Sequence, residues 1–236
     1  LNLLITGTTG IAAATVELAK ARGHRVFVAG LEETADHQAD LCDEAAAREA
    51  VEAAFSALGS VDGLFNVAGR SGRAFGDGPV HACGGGAFES TLAANLLPCF
   101  HMMHWVIGRW LAGRSRGAVL NMGSVLASSP EPEHFATHAY AASKGAIEAL
   151  SRSAAAYYAR HGIRVNVIAP GLVRTPMSER AQSEASIMDV VRKKQPLTSG
   201  ILSAGEVAHA ALFLLGDESR PITGQVLAVD GGWSLL

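Results

Sequence analysis

The sequence predicts a doubly wound α/β fold, a parallel sheet covered by helices on both faces, as a single domain spanning residues 1–236. Three observations carry this expectation. Six near-continuous apolar runs of strand length (LNLLI, RVFVA, VDGLFNVA, GAVLNM, RVNVIAP and QVLAVDGG) have the pattern of strands buried on both faces. Alanine-rich segments with helical spacing lie between them, and strict alternation of strand and helix implies right-handed crossovers within one sheet. With 49% hydrophobic and 17% charged residues, the chain can bury one large core. No repeat, low-complexity tract or interdomain linker divides it.

Taken in order, the chain opens inside its first strand at Leu1, so residues are expected ahead of it. The loop TGTTGIAAA, Thr6 to Ala14, then leads into a helix over Ile11–Arg22. After the second strand, ten positions separate Gly30 from Asp40 at the end of a short third strand. A parallel connection normally takes a dozen or more residues, so at most one helical turn fits there. Asp43 is suited to cap a helix that Gly59 ends after Leu58. GDGPVHACGGG, Gly76 to Gly86, reads as a mobile loop before a helix over Ala87–Leu111. Gly162 stops the next helix, Ala139–His161. Pro176 to Ser199, with Met177, Ile187 and Met188, reads as a mobile lid. Ser203 and Glu206 form a capping box for the helix Ala204–Leu215.

Composition excludes several classes of function. The formal net charge is −3 and the arginines are dispersed, which disfavours nucleic acid or an anionic membrane surface as a partner. Three cysteines, Cys42, Cys83 and Cys99, without C-x-x-C spacing, argue against a disulfide framework and against a zinc site, and a reducing cytoplasm suits them. No metal is expected. No apolar stretch reaches the ~18 residues that a membrane span requires.

The chemistry concentrates in a few motifs. A loop passing from the first strand of such a sheet into a helix can offer backbone N–H groups to a diphosphate. Gly7 and Gly10 give G-x-x-G there, and Ala13 stands where a third small residue would let the helix pack closely on the sheet. After the second strand the chain reads AGLEE, with Gly30 where an acidic residue would bind a ribose diol, then Leu31, Glu32 and Glu33. No arginine or lysine is nearby to accept a 2′-phosphate, so an unphosphorylated ribose is favoured. A solvated acidic turn is the competing reading of the two glutamates. YAASK places Tyr140 and Lys144 four apart on one helix face. A close positive charge favours phenolate, and lowering a phenol from about 10 by some 3 units takes roughly 4 kcal/mol. Such a tyrosine becomes competent for proton transfer. Upstream, GAVLNMGSV presents Ser124 at the end of a strand, as a hydroxyl able to polarise a carbonyl oxygen.

With these motifs together, TGTTGIA, ADL, NVAG, AANL, GSV, YAASK, PGLVRT and ITGQVLAVDGG, the chain resembles the short-chain dehydrogenase/reductase family in its shorter, single-domain branch, over nearly its whole length. The resemblance implies a Rossmann-type sheet and a nicotinamide dinucleotide, NAD(H) favoured with NADP(H) open. It implies Tyr140 as acid/base, Lys144 lowering its pKa and holding the nicotinamide ribose, Ser124 orienting the substrate oxygen, and Asn95 holding a water in a relay to Lys144. Pro98 fits that last role, since it cannot donate to the carbonyl of Ala94 and a local kink would free backbone acceptors beside Asn95. The diphosphate loop would be Gly7, Thr8, Thr9, Gly10 and Ile11, and Gly30 and Leu31 would face the adenosine ribose. Asp40 and Leu41 would contact the adenine. Asn66, Ala68 and Gly69 would form the NxAG wall, and Pro170, Gly171, Val173 and Thr175 would fix the carboxamide.

The chain also departs from the pattern of that branch. Its loop has one residue fewer between the glycines, Ala12 replaces the glycine after Ile11, and Ser124 and Tyr140 are a few residues further apart than usual. The intervening SSPEPEHFATH brings Glu131, Glu133, His134 and His138 toward the substrate mouth, read first as a solvated loop and second as substrate contacts. The expected function is hydride transfer between NAD(H) and a secondary alcohol or ketone of small size. One alternative is an NADPH-dependent 3-oxoacyl-carrier-protein reductase, with Arg109, Arg114 and Arg116 as a docking patch; another is a non-catalytic nucleotide-binding scaffold. The helices Ala87–Leu111 and Ala139–His161 carry apolar and small residues beyond what one sheet face covers, so a homotetramer or homodimer is expected.

Overall fold

A computed structural model describes all of residues 1–236. Seven parallel strands, β1 (Asn2–Thr6), β2 (Arg25–Gly30), β3 (His37–Gln38), β4 (Gly63–Asn66), β5 (Gly117–Met122), β6 (Ile163–Pro170) and β7 (Val226–Val229), form one sheet in the order β3-β2-β1-β4-β5-β6-β7. Alternate side chains of a strand point to opposite faces, so Leu4 of β1 enters one core layer while its neighbours Leu3 and Ile5 enter the other. The first layer lies under α2 (Glu44–Leu58), α3 (Gly85–Ala112) and α4 (His138–Tyr158), and the second under α1 (Gly10–Ala21) and α7 (Ala204–Leu215). The expected doubly wound sheet is the observed one. Strand order reverses at β1 and β4, where Ile5 is paired with Val28 on one side and Phe65 on the other. The loops that diverge from this point open a crevice beyond the carboxyl ends of the strands.

Helix ends follow the local signals. Asp43 accepts the N–H of Ala46 at 2.8 Å, Gly59 takes φ +82° after α2, and Ser203 and Glu206 close the capping box of α7. The connection from β2 to β3 contains no helix. The Asp36 carboxylate accepts the N–H of Val28 at 2.8 Å and holds the chain against the sheet edge, doing with one side chain what a crossover helix does elsewhere.

α3 spans Gly85 to Ala112 with Pro98 inside it, as the sequence places it. Two segments differ from the sequence expectation. The loop Gly76–Gly86 is anchored by Asp77, which is buried and accepts the N–H groups of Ala139 and Tyr140 at 3.0 and 2.9 Å. The Pro176–Ser199 segment is largely helical, with α5 (Glu179–Ser183) and α6 (Ala185–Lys194). Its Ile187 and Val191 are fully buried with Val125, Ala181 and Trp233 in a small third core. No helix is long and apolar enough to cross a membrane.

Candidate active site

The crevice is a cleft of about 980 Å³. Its floor is the β1–α1 loop. Gly7 (φ +89°) and Gly10 (φ +55°) occupy backbone conformations that side chains disfavour, and a Cβ at Gly10 would stand 2.8 Å from the Thr175 methyl. Thr9, the residue before α1, makes no side-chain cap; its carbonyl takes the N–H groups of Ala12 and Ala13, which leaves those of Gly10 and Ile11 at the cleft. The Thr6 hydroxyl accepts the N–H groups of Val67 and Ala68 at 2.9 and 3.0 Å, and fixes the β4 loop beside the glycine loop. At the β2 end, Thr8 donates to Glu32 at 2.6 Å, and the Glu32 carboxylate stands 3.4 Å from where a Cβ on Gly30 would be. The acidic group missing at position 30 is therefore supplied from position 32.

At the other end, α4 begins beside the cleft because Asp77 holds its first turn. Tyr140 is half-buried and lines the cleft with Ser124, while Lys144, one helical turn on, is buried at 2% exposure. The Lys144 ammonium donates to the Met122 carbonyl at 2.9 Å and stands 5.5 Å from the centre of the Tyr140 ring. Burial pushes the Tyr140 phenol up to about 12, opposed by a hydrogen bond with Ser124. Burial pushes Lys144 down to about 8, opposed by the Cys99 sulfur, and pushes Cys99 itself up to about 12. The lowering of the phenol expected from Lys144 is thus not what this cleft produces. Desolvation is the largest influence on both groups, and near neutral pH the pair is a neutral phenol beside a largely charged ammonium.

This geometry has close relatives. Residues 5–234 match the family described as "Enoyl-(Acyl carrier protein) reductase". The chain is 31% identical to 2,5-dichloro-2,5-cyclohexadiene-1,4-diol dehydrogenase of Sphingobium indicum, over all of this chain and 97% of that one. The chain belongs to the short-chain dehydrogenase/reductase family. Among solved structures, a short-chain type dehydrogenase/reductase from Mycobacterium ulcerans superposes with a TM-score of 0.90 at 26% identity, covering 99% of this chain and 89% of that chain. A 4-hydroxyisoleucine dehydrogenase complexed with NADH gives 0.85 at 26% identity, covering all of both chains. Membership makes the protein an oxidoreductase with the single-domain architecture of the family.

Most positions named from sequence meet in this family cleft: Gly7, Thr8, Thr9, Gly10, Ile11, Gly30, Leu31, Asp40, Leu41, Ala68, Gly69, Ser124, Tyr140, Lys144, Pro170, Gly171, Val173 and Thr175 all line it. Asn66 and Asn95 do not. Asn66 is buried in the layer beneath, donating to Asn121 at 2.9 Å, which in turn donates to Ser151 at 2.8 Å, so it ties β4 to β5 and α4. Asn95 is fully buried. Its amide donates to the carbonyls of Arg70 and Thr91 at 3.0 and 2.8 Å, and its oxygen accepts the Arg70 N–H at 3.2 Å. A Cβ on Gly69 would fall 2.6 Å from that oxygen and 3.6 Å from the Lys144 ammonium, so Asn95 and Lys144 flank the same glycine.

Neither reading of the 131–138 loop describes all of it. Glu131, Glu133, His134 and His138 stand outside the cleft lining. Glu131 is buried and accepts the N–H groups of Glu133, His134 and Phe135, so it shapes the loop from within, and His138 accepts the Val80 N–H at 3.1 Å. Arg109, Arg114 and Arg116 lie where α3 ends and β5 begins, whereas Ser124 follows the far end of β5, about 20 Å away along a six-residue strand. They cannot form a docking patch beside this cleft. Gln195 was not anticipated. Fully buried, it receives the Leu172 N–H at 2.5 Å and donates to the carbonyls of Leu172 and Gly200, which sets the path of the cleft wall from Gly171 to Thr175. Nothing local marks its hold on the cleft wall, because Leu172 lies 23 residues upstream.

Proposed function

We propose that the protein interconverts a secondary alcohol and a ketone with a nicotinamide dinucleotide, Tyr140 being the acid/base group. The observation that carries this reading is the convergence of the Tyr140 phenol, the Ser124 hydroxyl and the Lys144 ammonium on one cleft whose floor is a glycine loop at the start of α1. The residues suit the cofactor. Two positive-φ glycines and the N–H groups at the start of α1 match a diphosphate, with the Glu32 carboxylate held to one side by Thr8. When bound, the nicotinamide supplies hydride chemistry; the chain supplies binding, orientation and the proton. Ser124 donates a hydrogen bond to the substrate oxygen, and the Tyr140 hydroxyl delivers a proton to that oxygen in reduction or takes one in oxidation. Lys144 holds positive charge beneath the site and carries the ribose hydroxyls, steadied by the Met122 carbonyl. Asn95 acts through position, setting the turn at Gly69 and Arg70 that packs against Lys144.

NAD(H) is favoured over NADP(H), because the Glu32 carboxylate held by Thr8 occupies the ribose end of the cleft and would repel a 2′-phosphate. Self-association through α3 and α4 fits the exposure of Phe88, Leu97, Phe100, Leu111 and Tyr157 along these two packed helices. The deciding experiment is Tyr140→Phe. The variant should bind NADH with unchanged affinity by fluorescence titration and lose turnover by about 10²–10⁴-fold. Retained turnover would remove the catalytic assignment.

A further inference from the structure

The substrate half of the cleft is apolar below and cationic above. Val125, Leu126, Phe135, Leu172, Met177 and Trp233 line its body. At its mouth two arginines from segments more than a hundred residues apart converge on one atom. Arg73, in the 3₁₀ turn Gly72–Phe75, donates to the His134 carbonyl at 2.6 Å, and Arg180 of α5 donates to the same oxygen at 3.0 Å. Their donor nitrogens are thus no more than 5.6 Å apart, the sum of those distances. Both arginines line the cleft.

Bringing two guanidiniums this close is unfavourable unless something offsets their charge. The carboxylates of Asp77 and Glu184 offset part of that charge, but neither lines the cleft, so the face that the two arginines turn toward it has no acidic partner. Asp77 spends both oxygens on the N–H groups of Ala139 and Tyr140, and Glu184 takes one edge of Arg180 at 3.1 Å in an exposed pair. The only acidic residues lining the cleft are Glu32 and Asp40, both at the adenosine end. The His134 carbonyl carries only a partial charge. The Arg73 segment is also rigidly tied to the proton-transfer group: Gly72 packs so tightly on Asp77 that an added Cβ would lie 2.6 Å from its side chain, and Asp77 holds the backbone of Tyr140. Partial burial first, and then the like charge of Arg180, hold Arg73 below the usual guanidinium range, opposed by the Asp77 and Glu184 carboxylates.

We propose that the substrate carries a carboxylate on the end remote from its reacting carbon, received by Arg73 and Arg180, with an apolar stretch between the two. A carboxylate oxygen taking the place of the His134 carbonyl would gain charge-assisted hydrogen bonds from both arginines and relieve their repulsion. The inference rests on the alcohol–ketone reading above and names its substrate class.

The test uses the full chain with NADH and a series of oxo acids in which the ketone and carboxylate are separated by increasing numbers of carbons, each beside its methyl ester. The best acid should exceed its ester in kcat/KM by about 10- to 100-fold, the difference lying in KM. Arg73→Gln and Arg180→Gln, both at exposed positions, should each bring the acid-to-ester ratio toward one. If the arginines only latch the His134 loop, acid and ester will fall together and the ratio will stand, which overturns the proposal, as does an ester used as well as its acid by the unaltered protein. Ester turnover that depends on Tyr140 would leave the alcohol–ketone reading in place even then. Should no ketone turn over, that reading fails, and glutarate against dimethyl glutarate decides the present one. A rise in the Tm of the NADH-loaded protein with glutarate, over sodium chloride of equal ionic strength and lost in Arg180→Gln, supports the carboxylate site; no rise overturns it.

Discussion

Lys144→Met should make the protein more stable near neutral pH while impairing its function. The ammonium sits at 2% exposure, and burial lowers its pKa from 10.5 to about 8. At ~1.36 kcal/mol per pH unit this gap is a cost to folding of roughly 3 kcal/mol. Below pH 8 the lysine is charged in both folded and unfolded chains, and the cost is paid in full. Between pH 8 and 10.5 the folded protein has released a proton that the unfolded chain still holds, so stability rises with pH; above 10.5 the cost is gone. Methionine removes the charge and keeps the length, but leaves the Met122 carbonyl without its donor, a loss of about 1–2 kcal/mol. The net gain is about 2 kcal/mol at pH 7, equivalent to about 4–8 °C in Tm for a domain of this size. Urea unfolding of both proteins at pH 7 and pH 10, at one protein concentration, measures it. The variant should lead at pH 7 and lose its lead by pH 10, while binding NADH more weakly at both. A variant less stable at pH 7, or a lead independent of pH, would refute the claim that burial of a charged lysine is a standing cost in this cleft.

Asp77→Ala removes two hydrogen bonds from the first turn of α4 and should lower stability by about 1–3 kcal/mol. Because the same turn carries Tyr140, kcat should drop more than NADH affinity; equal losses would show that Asp77 does not position the phenol. On the cofactor, NADH should exceed NADPH in kcat/KM by about 10-fold or more, and Leu31→Arg combined with Glu32→Ser should narrow or reverse this, with steady-state kinetics as the check. Analytical ultracentrifugation at micromolar concentration should find a dimer or tetramer; an active monomer of 24.5 kDa would mean that the exposed residues of α3 and α4 need no partner.

Much of this protein was legible in its sequence, because the signals are local. Six apolar runs and the helices between them follow from side-chain periodicity, and α7 falls at the expected residues because its capping box is written within four positions, Ser203 to Glu206. The glycines of the first loop are needed for backbone angles that neighbouring residues fix. Tyr140 and Lys144 are brought together by one helical turn, and Ser124 by the end of a strand. The tertiary structure decided what depends on distant partners and on solvent. Asn66 and Asn95 carry motif signals but do not line the cleft, because their amide N–H groups are taken by Asn121 in one case and by Arg70 and Thr91 in the other. Asp77, Gln195 and the meeting of Arg73 with Arg180 have no local signature, since each joins segments 23 to 63 residues apart or more. The ionisation of the site was beyond sequence altogether. Spacing puts a lysine near a tyrosine, but only their burial decides that desolvation, which acts on each group separately, is the largest influence on both.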